Sequence, residues 1–297
     1  MSLFFITQTK RFLKFKLHLA VLTNTNHMKK YFSLLLVCIL ISCSQKKEST
    51  TEYKMAWNDE FDQTNSRVDD TKWFMETVAP NNGVWYNDEL QHYTDRLDNA
   101  SVSDGTLKIT AKREVYTHSG TTQAYTSARL NSKFSFTFGK VVVRAKLPRA
   151  QGTWPAIWTL GSNLETVGWP SCGEIDIMEQ LFENFEMVQC AVHTPARHGD
   201  NTIVKQVDIT DVTVNFHNYG MEWSADKIDF TVDDQVYFSY NPEVKTPENW
   251  PFFNDQYILL NIAMGGNLGG TVDPNFSEDI MEVDFVRVYQ KNKLVNF

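Results

Sequence analysis

The seven residues Gly173-Glu174-Ile175-Asp176-Ile177-Met178-Glu179 hold the pattern best able to do chemistry in this chain. Acidic and apolar residues alternate, so on a β-strand Glu174 and Asp176 share one face while Ile175 and Ile177 share the other. Strict alternation puts Met178, not Glu179, on the acidic face. A β-bulge, one extra residue near Met178, returns Glu179 to the side of Glu174. Three carboxylates in one row raise one another's pKa and work against folding. Such a row suits cleavage of a glycosidic bond, which needs one protonated carboxyl as acid and one ionised carboxylate as nucleophile or base. Strand positions four apart lie about 13 Å apart along the backbone. Side chains leaning inward on a concave sheet close that toward the roughly 5–5.5 Å of a retaining pair. Asp176, between the two, is placed to orient Glu174 and hold its proton balance. Two other readings fit the same residues: a solvated acidic strand face, and a divalent cation held by three carboxylates.

The next segment bears on the choice. A hairpin turn centred near residue 184 makes residues whose numbers sum to about 367 face each other. His193 then lies opposite Glu174 and joins the row, while Cys190 falls near Ile177. Cys172 and Cys190 are out of register and expected to be unbonded, and no metal-binding cysteine spacing is present.

The elements that must hold this row are short. Helical periodicity is nearly absent, and segments rich in Val, Ile, Thr, Phe and Tyr recur between turn signals. Strands are expected at 106–112, 140–146, 186–194, 227–232, 235–240, 257–263 and 281–289, with Asp233-Asp234 as a tight hairpin turn. This pattern predicts an all-β sandwich or barrel in a single domain. Eight tryptophans stand out, because sugar rings present apolar faces that stack on aromatic side chains. Trp85, Trp154, Trp158, Trp169 and Trp223 fall in turn-rich or strand-edge positions, while Trp57, Trp73 and Trp223 read best as core. Trp154 and Trp158 are four apart, so on one strand they share a face.

The N-terminus differs in kind from the rest. Its first 42 residues carry six basic side chains and no acidic one, and Met28-Lys29-Lys30 precedes an apolar run, 31–41, too short to span a bilayer. Leu40-Ile41-Ser42-Cys43 resembles a bacterial lipobox. Residues 1–43 are therefore expected to be an export leader, with Met28 a candidate start and Cys43 the lipidated residue. Residues 44–54 read as a flexible tether and 55–297 as the domain. The chain has 28 Lys+Arg and 36 Asp+Glu, so beyond the leader 22 basic face 36 acidic residues, a net of −14. So acidic a body disfavours nucleic acid and other polyanions and suits a neutral polymer.

Taken together, GTWPAIW (152–158), GWPSCGEIDIME (168–179), NDELQHYT (87–94), FHNYGMEW (216–223), NIAMGGN (261–267) and EVDFVRVY (282–289) resemble glycoside hydrolase family 16, in its bacterial laminarinase branch. The resemblance spans residues 55 to 291. It implies a β-jelly-roll sandwich of two antiparallel sheets with a concave substrate cleft, and retaining cleavage of β-1,3-glucan; whether mixed-linkage β-1,3-1,4-glucan is also cut depends on loop lengths that residue types leave open. Carried over, Glu174 is the nucleophile, Asp176 its supporting carboxylate and Glu179 the acid/base. The ExDxxE spacing resembles the laminarinase and agarase branches, whereas the lichenase branch uses ExDxE. Asn87, Trp154, Trp158, Trp169 and His193 match positions that line the sugar subsites. No cofactor is implied for catalysis. A structural calcium found in many members would fall on the Glu60 and Gly105 carbonyls and the Asp284 carboxylate. One departure is Leu268, where many relatives carry Trp. The expected protein is a monomer, anchored by lipid to the bacterial envelope at the outer membrane or cell surface. The competing readings are hydrolysis of agar or carrageenan, which the net of −14 disfavours when the polymer is sulfated, and glycan binding without catalysis.

Overall fold

The computed structural model describes residues 52–291. Its strands are β1 (Tyr53–Asp59), β2 (Trp73–Met75), β3 (Gln91–Tyr93), β4 (Ala100–Ser103), β5 (Thr106–His118), β6 (Thr121–Ser127), β7 (Arg129–Phe136), β8 (Gly139–Lys146) and β9 (Thr153–Gly161). They continue with β10 (Glu174–Leu181), β11 (Asn184–His193), β12 (Ile203–Asp208), β13 (His217–Trp223), β14 (Ile228–Val232), β15 (Gln235–Tyr240), β16 (Gln256–Met264) and β17 (Glu278–Lys291). Two four-residue helices, α1 (Leu164–Val167) and α2 (Gly266–Gly269), sit in loops. The first strand begins at Tyr53, which takes Tyr53 and Lys54 out of the expected tether.

The strands form two sheets. One has ten strands, with the order β15-β14-β13-β8-β17-β5-β6-β3, β1 on β17 and β4 on β5; the other runs β12-β11-β10-β9-β16-β7-β2. All strand pairs are antiparallel except β3–β6. The inner faces meet in one core, as a sandwich requires. Ile175, Ile177 and Met178 of β10, with Val188, Cys190 and Val192 of β11, pack in the same cluster as Ile109, Val141, Val143, Tyr219 and Val286 of the larger sheet. Each such side chain contributes about 1.5–3 kcal/mol by leaving water. This is the all-β jelly roll that the resemblance implies.

Particular expectations hold at the level of residues. Asp233 and Asp234 form a two-residue turn with φ of 49° and 61°, the left-handed pair that a tight hairpin needs and that Asp tolerates. Trp73 and Trp223 are buried. Trp85 is buried too, against Tyr93, so it is not part of an exposed platform. Cys172 and Cys190 are free and buried, and burial pushes their thiols up to about 11 and about 12, which leaves them unreactive.

Candidate active site

β10 lies inside the seven-stranded sheet, between β9 and β11. Asp176 pairs with Trp158 of β9 and Met178 with the adjacent Ile157, so Ile177 is an extra residue and the strand bulges there. Beyond the bulge Glu179 pairs with Gln189, and before it Glu174 pairs with His193. Ile177 and Met178 therefore both enter the core, and Glu179 returns to the outer face beside Glu174 and Asp176. Gly173 launches the strand at φ 77°, where a Cβ would stand 2.8 Å from the Phe252 ring.

The outer face is recessed. Asp176, Glu179, Gln189 and Asn261 all point away from the core yet are buried, which a flat sheet face would not allow. Trp169, on the loop before β10, donates its indole N–H to Glu174 Oε2 at 2.8 Å. Glu179 accepts from Trp154 Nε1 at 3.1 Å and from Gln189 Nε2 at 3.0 Å. His193 Nε2 stands 3.2 Å from Asp176 Oδ2 and 3.7 Å from Glu174 Oε1. Trp158 donates to Asn261 Oδ1 at 2.7 Å, and Arg129 lies over its ring at 4.8 Å. Asn87 joins the wall through its carbonyl, which accepts from Asn267 N–H; a Cβ on the intervening Gly266 would meet both that carbonyl and the Trp154 ring. The structure thus brings Glu174, Asp176, Glu179, Asn87, Trp154, Trp158, Trp169 and His193 to one face.

Burial and neighbouring charge displace all three carboxyls. Burial first, then the charge of Asp176, pushes Glu174 up to about 8. Asp176 is held well above the usual carboxylate range by burial and then by the charge of Glu179. Glu179 is raised by burial, against the Gln189 and Trp154 donors and the charge of His193. The row consequently holds protons at pH values where free carboxyls have none. Against these effects the Trp169 N–H stabilises the Glu174 carboxylate.

Sequence reasoning missed a supporting network. Asn261 Nδ2 donates to Tyr93 Oη at 3.1 Å, and the Tyr93 hydroxyl donates to Glu89 Oε2 at 3.3 Å. Gln91 Nε2 also donates to Glu89, at 2.7 Å. The signal for Gln189 was present: past the bulge the facing sum becomes 368, and Glu179 then points at 189. Nothing in residue type reveals the Tyr93–Asn261 link, which joins strands 168 positions apart.

The three residues expected to hold calcium lie away from this face. Asp284 is on β17 of the ten-stranded sheet, Glu60 follows the β1 residue paired with Val286, and Gly105 lies in the β4–β5 turn. Asp284 Oδ2 is ion-paired with Arg144 Nη1, and Glu60 with Arg287. Cys43 lies outside the described residues. Leu268, in α2, has its carbonyl bonded to the Phe182 N–H of the β10–β11 turn.

A recessed, tryptophan-walled sheet face with paired carboxyls, one of them flanked by donors, is the site of a polysaccharide-cleaving jelly-roll hydrolase. Comparison with known proteins agrees. Residues 87–287 match the model for glycosyl hydrolases family 16. A β-glucanase from Rhodothermus marinus is 37% identical over 274 residues, covering 86% of this chain and 93% of that one. A LamA variant from Zobellia galactanivorans, solved with laminaritriose and laminaritetraose, is 45% identical with TM-score 0.74 over 80% of this chain and 99% of that one. A laminarinase from Flavobacterium sp. UMI-01 is 38% identical with TM-score 0.73, over 80% and 100% of the two chains. The chain belongs to glycosyl hydrolases family 16.

Proposed function

We propose that the protein is a retaining endo-β-1,3-glucanase that also accepts mixed-linkage β-1,3-1,4-glucan. The observation that carries this is the bulged β10, which sets Glu174 and Glu179 on one recessed face with Asp176 between them. Glu174 attacks the anomeric carbon while Glu179 gives its proton to the departing glycosidic oxygen; water, deprotonated by Glu179, then releases the glycosyl-enzyme. Asp176 keeps the nucleophile aligned, and the indoles of Trp154, Trp158 and Trp169 offer faces to the sugars. The family and the laminarin-type ligands of the Zobellia relative support the glucan over agar or carrageenan. Incubation with laminarin, mixed-linkage glucan and agarose, with products sized, tests the reading. Oligosaccharides from laminarin are expected; release from agarose alone would overturn it.

The leader supports export and lipid anchoring at Cys43. Cys43→Ser should move the protein from the membrane fraction to the soluble one, and sedimentation of that variant with membranes would refute the anchor. For calcium, Glu60 and Gly105 offer neutral carbonyls, and the single charged ligand, Asp284, already binds a guanidinium. A site with so little charge belongs to the weak class, with affinities of about 10⁻⁴–10⁻³ M.

A further inference from the structure

Glu174, Asp176 and His193 each present a metal-capable atom within 4.8 Å of the others. Atoms bound about 2.0–2.1 Å from one zinc at tetrahedral angles stand roughly 3.3 Å apart. His193 Nε2 is 3.2 Å from Asp176 Oδ2, which already fits, and 3.7 Å from Glu174 Oε1, which a small side-chain rotation closes. Asp176 is only 4% exposed, and its Oδ2, facing into this space, has no hydrogen-bond partner. Glu174 is held by Trp169 at Oε2, which leaves Oε1 for another ligand. Among the described residues no lysine or arginine forms an ion pair with Glu174 or Asp176; His193 alone stands in that position. The pocket is also reachable, since the His193 and Glu174 side chains are 16% and 17% exposed.

We propose that Glu174, Asp176 and His193 form a reversible site for a borderline transition cation, Zn²⁺ or Cu²⁺, whose binding silences hydrolysis by occupying the nucleophile. An imidazole with two carboxylates favours these ions over Mg²⁺ and Ca²⁺, which prefer oxygen ligands alone. The cation supplies the positive charge that the row lacks, and it competes with protons, so it binds more tightly as pH rises. His193 Nδ1 has no partner to fix the ring, as tight zinc sites do, which keeps the ion exchangeable. Sugar and metal exclude each other, because the ion sits where the anomeric carbon must approach Glu174. The silencing rests on the glucanase reading; the binding does not.

The test uses the chelator-treated full chain. Co²⁺ titration followed by its visible absorption should report one site, displaced by Zn²⁺ and by laminarin oligosaccharides. Zn²⁺ should inhibit laminarin hydrolysis competitively, EDTA should restore it, and Mg²⁺ should have no effect. His193→Asn and Glu174→Gln should each weaken Co²⁺ binding roughly tenfold or more. His217→Asn, altering a histidine hydrogen-bonded to Asp211 and Asp233 in the other sheet, should leave binding unchanged. Equal Co²⁺ affinity in wild type, His193→Asn and Glu174→Gln would overturn the site. Inhibition by Zn²⁺ that laminarin does not relieve would overturn the competition. Co²⁺ binding by a wild type that leaves laminarin uncut would count against the glucanase reading and not against the metal site.

Discussion

Ile177 and Met178 are consecutive residues of one strand, and both side chains enter the core, 1% and 0% exposed. That single departure from alternation carries Glu179 back to the face of Glu174. The two apolar side chains hold the bulge by their burial, so the spacing of the catalytic pair is a consequence of core packing.

The hydrogen bonds to the two glutamates each favour an ionised form and so shift the pH–rate profile. Gln189 donates to Glu179 and favours its ionised form. Gln189→Leu should therefore raise the Glu179 pKa and move the alkaline limb of kcat/KM to higher pH. Trp169 donates to Glu174 in the same way, so Trp169→Phe should move the acid limb to higher pH. A profile that stays in place, or moves to lower pH, in either variant would contradict the role given to that donor.

The carboxyl row should weaken the fold as pH rises. Glu174 is pushed up to about 8, whereas in the unfolded chain it titrates near its ordinary value of about 4.3. Between those values the folded state binds more protons than the unfolded state, so stability falls as pH increases through this window. Glu174→Gln has no such loss. Its Tm should match wild type near pH 4 and exceed it increasingly toward pH 8, as followed by calorimetry. A variant less stable than wild type at pH 8 would refute the burden assigned to the row.

Tyr93 should act on binding and not on chemistry. Its hydroxyl fixes the Asn261 amide, which in turn fixes the Trp158 indole. Tyr93→Phe removes one hydrogen bond worth about 0.5–1.5 kcal/mol. The expected result is a KM for laminarin raised several-fold with kcat unchanged. A fall in kcat at constant KM would place Tyr93 in the chemical step instead.

Calcium should matter only at high concentration. EDTA should leave Tm unchanged, and millimolar calcium should raise it in wild type but not in Asp284→Ala. A large drop in Tm with EDTA alone would show a tight site and contradict the weak one inferred from the Arg144 pair.

The site was more legible in the sequence than the fold's full strand set. Alternation in residues 173–179 marked the strand and the bulge, and the hairpin sum placed His193 opposite Glu174, because antiparallel register is local arithmetic once a turn is located. Strands dense in Val, Ile and Phe, such as β15 and β16, read out almost to the residue. β6, with the sequence TTQAYTS, and β12 gave little signal, since their polar residues pair at or near sheet edges where burial does not select apolar side chains. Trp85 looked like a platform residue because it sits in a turn-rich segment. Its burial comes from Tyr93 and Arg129, contacts that local pattern does not contain.

The most direct test of the central claim is azide rescue of the two glutamate variants on an aryl β-laminaribioside, whose phenolate departs without a proton from Glu179. Glu174→Ala and Glu179→Ala should both remain folded, because both side chains face the cleft and not the core, and on laminarin the loss of the acid alone should cost about 10²–10⁴-fold. Azide should restore turnover in each, with products of opposite configuration. At Glu174→Ala it replaces the missing nucleophile and gives the inverted glycosyl azide; at Glu179→Ala it intercepts the glycosyl-enzyme and gives the retained one. Wild-type turnover in either variant, or the same anomer from both, would contradict the assignment of nucleophile and acid.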